Sequence, residues 1–458
     1  MKKYALLINA VLLLVLVACS KESRPTANEA YVTNSRNAVS SKDLLEYFVN
    51  NKGINPTKAA DISVEPIRNG RDTVMFLINY QDGWEVLSGD IRAPRVLIKC
   101  KSGHMTLEEL NGNPAQCAFI SALSTNLKAA RYDDLLDNED IQDSWDKKEV
   151  LRDGIFDHYV LRILTGEERE VIDYRLQDHL LTTTWGQGSP WNQYAPYRDS
   201  TMTRHCPTGC TPVAVAQTLY YLHNKIGAPA SVYGSASCSA YAPTNGSIIL
   251  TSSDVTFSNS SPANWGMMAL NQSNESGADK VSALMVYLGY LYNASYWYNT
   301  TSAVLSNSTS IFPSYFGLTC QLQYRPPLSW LKNVTNNQIY DNEFPIMMSV
   351  SDNYWGGHAI VLDGFKYIKE SVTRYYDYYI TGPDGQIQPG QQPDSSDSTT
   401  TEEESWYVAI NWGWNGSWNN DSNSGETIWY NIEAAWLVSI YDFSQFNYIV
   451  YNFAVNNT

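Results

Sequence analysis

Between residues 64 and 99 short apolar runs alternate with turn residues, and the pattern predicts strands. Asp72 to Tyr80 is one, Gln81 to Gly83 a turn, Trp84 to Ser88 the return strand, and Arg95 to Lys99 a third. Ahead of them, Ser40 to Leu44 opens like a capped helix, with Leu44, Leu45, Phe48 and Val49 on one face. Residues 132–181 have leucines at helical spacing and predict helix. Their runs of Asp and Glu also suit a solvated, cleavable linker. A further helix is predicted from Cys210. Pro212 fits its first turn, where a missing N–H costs nothing. Val213, Ala214, Val215, Ala216, Leu219 and Leu222 cover most of its circumference, so it should be buried rather than amphipathic. Phe344 to Val350 and His358 to Asp363 read as two apolar strands around a polar, glycine-containing turn.

The first residues read as a targeting segment. Lys2 and Lys3 precede an apolar run over residues 5–17, which ends in Leu16-Val17-Ala18-Cys19. That ending looks like a bacterial lipoprotein cleavage box, with Cys19 becoming the lipidated mature N-terminus. The alternative is an ordinary cleaved signal with Cys19 incidental. Residues 20–40 are polar and read as a flexible tether. Beyond Thr182 the chain turns rich in Tyr, Trp, Asn, Ser and Gly and poor in Lys. The expected division is therefore 1–19 signal, 20–40 tether, 41–180 first domain and 181–458 second domain. Residues 382–405 are rich in Pro, Gln, Asp, Ser, Thr and Glu, and predict a disordered insertion between two strands.

Composition narrows the function. A formal charge of −16 over 458 residues excludes a nucleic-acid-binding role and fits an extracytoplasmic protein. No apolar stretch after the N-terminus is long enough to span a bilayer. Six cysteines remain besides Cys19, at 100, 117, 206, 210, 238 and 320. Any of them could pair in a secreted chain, and spacing does not say which. None has the spacing of a zinc site, so no metal is expected.

Cys210 has the setting of a nucleophile. It follows Gly209, which allows close backbone approach, and it opens a buried helix whose N–H groups and dipole favour a thiolate. His358 follows the pair Gly356-Gly357, 148 residues after Cys210. Papain-like enzymes place their histidine roughly 130–150 residues after the cysteine. Asn411, in Asn411-Trp412-Gly413-Trp414, could orient that imidazole while Trp412 shields the bond. Gln187, in Trp185-Gly186-Gln187, could join the Cys210 N–H in stabilising an oxyanion.

Taken in order, Gln-Gly-x-Pro-Trp-Asn, Thr-Gly-Cys-x-x-x-Ala-x-Ala-Gln, Gly-Gly-His-Ala-x-Val-x-Asp-Gly and Asn-Trp-Gly-Trp resemble the streptopain family of papain-clan cysteine peptidases. Gly83 to Arg92 also resembles part of that family's propeptide. The resemblance implies an α+β fold: a papain-like cysteine peptidase, helical half plus antiparallel β half, preceded by an α+β propeptide domain. It implies Cys210 as nucleophile, His358 as general base and acid, Gln187 as oxyanion donor and Asn411 as orienter. It implies that Trp412 covers the His358–Asn411 pair, and suggests that Trp185 and Gly357 line the substrate cleft. The activity implied is endopeptidase cleavage of polypeptides by a zymogen, with its own propeptide as intramolecular inhibitor and no cofactor. A lipid anchor at Cys19 would hold it at a bacterial outer membrane or cell surface, with release by propeptide removal as the other possibility. Two other readings share these residues: a catalytically silent binding protein of the same fold, and a papain-clan amidase.

Overall fold

A computed structural model describes residues 62–112, 148–152, 159–432 and 446–456, apart from short stretches within these spans, and isolated positions in 39–44 and 120–128. Cys19, Cys117, the signal segment and most of the tether lie outside the described residues. So does the predicted helix near residue 44, except for Leu44 itself, which is helical and buried.

The strands predicted over 64–99 form an antiparallel meander. It comprises β1 (Ser63–Asn69), β2 (Asp72–Tyr80), β3 (Gly83–Ser88) and β4 (Val96–Cys100). β2 and β3 make a hairpin closed by Tyr80 opposite Gly83. After a short helix, α1 (Leu107–Gly112), come β5 (Lys148–Arg152) and β6 (Tyr159–Gln177). The helical expectation for 132–181 is therefore corrected: the described part of that stretch is strand as far as Gln177, and residues 178–181 are irregular. Its end carries a period of two, with Ile172, Tyr174 and Leu176 separated by Asp173 and Arg175. Its charges are matched across strands, Arg169 with Glu370 at 3.0 Å and Glu167 with Arg374 at 2.9 Å.

The second half contributes β7 (Leu318–Tyr324), β8 (Ile346–Asp352), β9 (Gly356–Thr381), β10 (Ser395–Asn411), β11 (Trp429–Asn431) and β12 (Phe446–Val455). All twelve strands join one sheet of order β1-β2-β3-β4-β11-β10-β9-β8-β12-β7, with β6 on the outer part of β9 and β5 beside β6. The disordered insertion expected at 382–405 is corrected in part. Residues 395–405 are the outer part of β10, paired residue by residue with β9. Thr is β-branched and fits a pleated surface. Thr373 and Thr400 share a hydrogen bond of 2.9 Å, and Arg374 pairs with Glu403.

Alternate residues of the central strands enter two cores. Met347, Ala359, Val361 and Val450 face the helices α2 (Cys210–Ile226) and α3 (Ala278–Leu291). Ile346, Met348, Ile360, Leu362 and Ile410 face a second core, shared with Val74, Trp84, Val86 and Ile98 of the N-terminal meander and with α4 (Leu328–Thr335). The N-terminal unit thus packs on the β half through both a strand edge and an apolar face. The helices on one side and the antiparallel sheet on the other make the α+β class expected.

Candidate active site

Helix α2 is buried on nearly all sides, and every residue from Thr211 to Leu219 is inaccessible. It begins at Cys210, after Gly209 at φ +95°. A Cβ on Gly209 would lie 3.1 Å from Thr301 Cγ2, so a side chain there would be both strained and crowded. His358 enters on β9 from the sheet side, directly opposite Val350 of β8. The Cys210 thiol and the His358 imidazole are hydrogen-bonded. Nε2–H of His358 donates to the Trp412 carbonyl at 3.2 Å, which leaves Nδ1 for the sulfur.

The electrostatics of the pair favour charge separation. Burial pushes the Cys210 thiol up. The His358 cation, its hydrogen bond and the Ala359 and Thr211 backbone groups outweigh that and hold it below its ordinary value. For His358, burial pushes down, while Cys210 and the Trp412 carbonyl raise it above an ordinary imidazole. The four other described cysteines go the opposite way. Burial pushes Cys206 and Cys238 up to about 11, Cys320 to about 12, and Cys100 upward as well. All five are free thiols. Iodoacetamide at pH 7 should therefore modify Cys210 far faster than the other four, as read by peptide mass mapping. The thiolate–imidazolium form holds between the two titrations. Alkylation should fall only when pH drops below the lowered thiol value.

Gln187 is tied to the segment that leads into Cys210. Its carbonyl accepts from Thr208 N–H at 2.9 Å, two residues before Cys210, and its half-buried side-chain amide has no hydrogen-bond partner among the described residues. Asn411 departs from its expected role. Its Oδ1 accepts from Gln217 Nε2 (3.1 Å) and Gly413 N–H (3.1 Å), and its Nδ2 donates to the Thr183 carbonyl (3.2 Å) and Gln217 Oε1 (3.3 Å). None of these is His358. The orienting acceptor is the backbone carbonyl of the next residue, Trp412. Trp185 and Trp412 are each 0% exposed. Trp185 packs edge-on against Tyr220 and donates Nε1–H to the Ala269 carbonyl at 2.6 Å. Trp185 is a core residue in this arrangement rather than a cleft wall, and Trp412 packs edge-on against Tyr430. Gly357 is exposed beside His358.

The peptidase C10 family model matches residues 185–420, just over half of the chain, and spans Gln187, Cys210, His358 and Asn411. The chain belongs to the peptidase C10 family. It is a cysteine peptidase by that membership. Two solved structures are similar to it. One is a prointerpain A fragment from Prevotella intermedia with a cysteine-to-alanine substitution. It has 19% identity and a TM-score of 0.50, over 85% of this chain and 98% of that one. The other is active wild-type interpain A cysteine protease from the same organism. It has 22% identity and a TM-score of 0.34, over 56% of this chain and 94% of that one. No curated protein matches. The expected papain-like α+β fold stands. Among the described residues no group of side chains could hold a metal, and no helix is long and apolar enough to cross a membrane.

Proposed function

We propose that this C10 peptidase is a zymogen that hydrolyses polypeptides through a thioester at Cys210. The contact between Cys210 and His358, with opposed shifts on the two groups, carries the reading. Cys210 Sγ attacks the scissile carbonyl, and His358 gives its proton to the leaving amine. The thioester forms as the C–N bond breaks. Water, deprotonated by His358, then releases the acid and the thiol. The oxyanion is held by the Cys210 N–H, one of the unpaired donors of the first helical turn, and by the Gln187 amide.

The N-terminal unit is the inhibitor in this proposal. Its Trp84 reaches across the junction and donates Nε1–H to Asp421 Oδ2 at 2.8 Å, with both residues buried. Gly103 lies against the same carboxylate. Trp84→Phe removes the donor and leaves a buried carboxylate oxygen short of a partner, at a cost of about 1–3 kcal/mol. The pro-region of that variant should be shed faster, measured as the time course of chain shortening on a gel. In this proposal the mature enzyme begins upstream of Asp178 rather than at residue 181, a reading supported by the bonds of His179 and Leu181 to the buried Asp363. Export with a lipid on Cys19, at a bacterial surface, completes the proposal. Digestion of casein under mild reducing conditions, by protein lacking residues 1–19, tests it. Inert protein, before and after limited external proteolysis, would return the choice to a binding protein, and cleavage of small amides alone to an amidase.

A further inference from the structure

Gln217 stands on α2 two turns after Cys210 and is 0% exposed. Its Oε1 accepts from Thr183 Oγ1 (3.0 Å), Trp185 N–H (3.2 Å) and Asn411 Nδ2 (3.3 Å), and its Nε2 donates to Asn411 Oδ1 (3.1 Å). The orientation of both amides is fixed from outside the pair. The Trp185 N–H needs an oxygen at Gln217, and the Gly413 N–H needs one at Asn411. Each partner leads to a different part of the site. Asn411 Oδ1 ties down Gly413, at φ +70°, and so fixes the turn whose Trp412 carbonyl accepts from His358. Trp185 begins the segment that presents Gln187, and Gly186 bridges to Trp414 of the same turn. The helix that carries Gln217 also carries Cys210.

We propose that Gln217 is a positioning residue for the peptidase reaction: one buried amide references the orienting carbonyl of His358 and the Gln187 segment to the nucleophile's own helix. The inference rests on the peptidase reading above. It assigns to Gln217 and Asn411 jointly a role that neither performs by touching substrate. A buried amide pair with both oxygens and both nitrogens hydrogen-bonded is rigid, because displacement leaves polar groups unpaired. Loss of the pair lets the Trp412 carbonyl drift from Nε2, and small misplacements of that kind cost about 10²-fold in rate.

The test compares Gln217→Leu, Gln217→Glu and Thr183→Val with wild type in the processed enzyme. Two readouts are used: kcat and KM on a peptide, and the pH profile of Cys210 alkylation. Gln217→Leu should lose about 10²-fold in kcat, with KM within about threefold. Its alkylation profile should move toward that of an ordinary thiol as His358 loses its fixed orientation. Gln217→Glu keeps the acceptor for Trp185 and Thr183 but loses the donor to Asn411, and should follow the Leu variant. Thr183→Val removes a bond that leads away from Trp412. It should lower the melting temperature and leave the alkylation profile in place. A folded Gln217 variant with wild-type kcat and alkylation profile overturns the proposal. If neither Gln217 variant folds, Asn411→Ala decides by the same criteria; if that fails too, the pair is assigned to folding and the proposal falls. Alkylation reads the Cys210–His358 pair even where no peptide is cut, so a wild type that alkylates normally yet hydrolyses nothing indicts the peptidase reading instead.

Discussion

Cys210→Ala abolishes peptide hydrolysis, by on the order of 10⁴-fold or more, while the protein still folds. The expected size follows from the chemistry. Without sulfur no thioester forms, and only oxyanion stabilisation and substrate binding are left. Folding should survive because the thiol is half-buried at the helix start, and the core of α2 is made by Val213, Val215, Ala216, Leu219 and Leu222 instead. Two further consequences separate this result from simple damage. His358 loses the thiolate that raises it, so its titration should fall toward that of a buried neutral imidazole. If the chain matures itself, the variant should remain full-length when wild type shortens, and addition of processed wild type should restore shortening without restoring activity to the variant. An NMR titration of His358 reads the first, and a gel time course with casein digestion reads the second. A variant that digests casein at the wild-type rate would remove Cys210 from the mechanism.

Much of this site was legible in the chain because its chemistry is local to short motifs. The Gly209-Cys210 step, the apolar circumference of α2 and the glycine pair before His358 are each written in a few consecutive residues. The structure starts the buried α2 at Cys210 and opens β9 with Gly356-Gly357-His358. What was not legible depended on partners far away in sequence. Asn411 looked like an orienter because it precedes Trp412 at a strand end. Its amide was claimed instead by Gln217, 194 residues distant, and the carbonyl of Trp412 took the imidazole. Trp185 looked like a cleft wall, yet apolar burial against Tyr220 and a bond to the Ala269 carbonyl hold it inside. The stretch that forms β6 has leucines at helical spacing, which predicts helix, and its charges suit a solvated linker equally well. Only the opposing strand, with Glu370 and Arg374 in register, reveals why those charges suit a sheet. The outer part of β10 is the same case: its Ser- and Thr-rich sequence is polar enough to predict disorder, and pairing with β9 makes it strand.

His179→Gln should cost about 3–5 kcal/mol of stability, the range for removing one partner of a buried ion pair. His179 Nδ1 lies 2.8 Å from Asp363 Oδ1, and the Asp363 carboxylate is 0% exposed. The neighbouring backbone reinforces the contact, with Leu181 N–H donating to Oδ2 at 3.1 Å and Leu180 N–H to the Asp363 carbonyl at 2.8 Å. Burial pushes the His179 imidazole down. The Asp363 carboxylate and its hydrogen bond more than reverse this, aided by the Asn419 carbonyl and Asp178, and raise it to about 9. A folded value above the unfolded one means that stability is gained by binding the proton. The contribution of His179 is therefore complete below about pH 6.5 and is lost as pH rises through about 9. Denaturant titrations of wild type and variant should show a constant difference at pH 5 to 6 that narrows toward pH 9. A difference that widens with pH would mean the pair is not charged as described. The effect should extend to the active site. His179 Nε2 lies 3.3 Å from the Asn419 carbonyl, and Asn419 Oδ1 accepts from Trp412 N–H at 3.2 Å, on the residue whose carbonyl orients His358. Residues 178–181 are thus bound into the catalytic half, and their removal would leave the Asp363 charge buried and alone. The processed enzyme should accordingly begin upstream of Asp178, within β6, as read by its N-terminal sequence and intact mass. A mature chain that starts after His179 would show that Asp363 tolerates the loss, and the stability of His179→Gln should then match wild type.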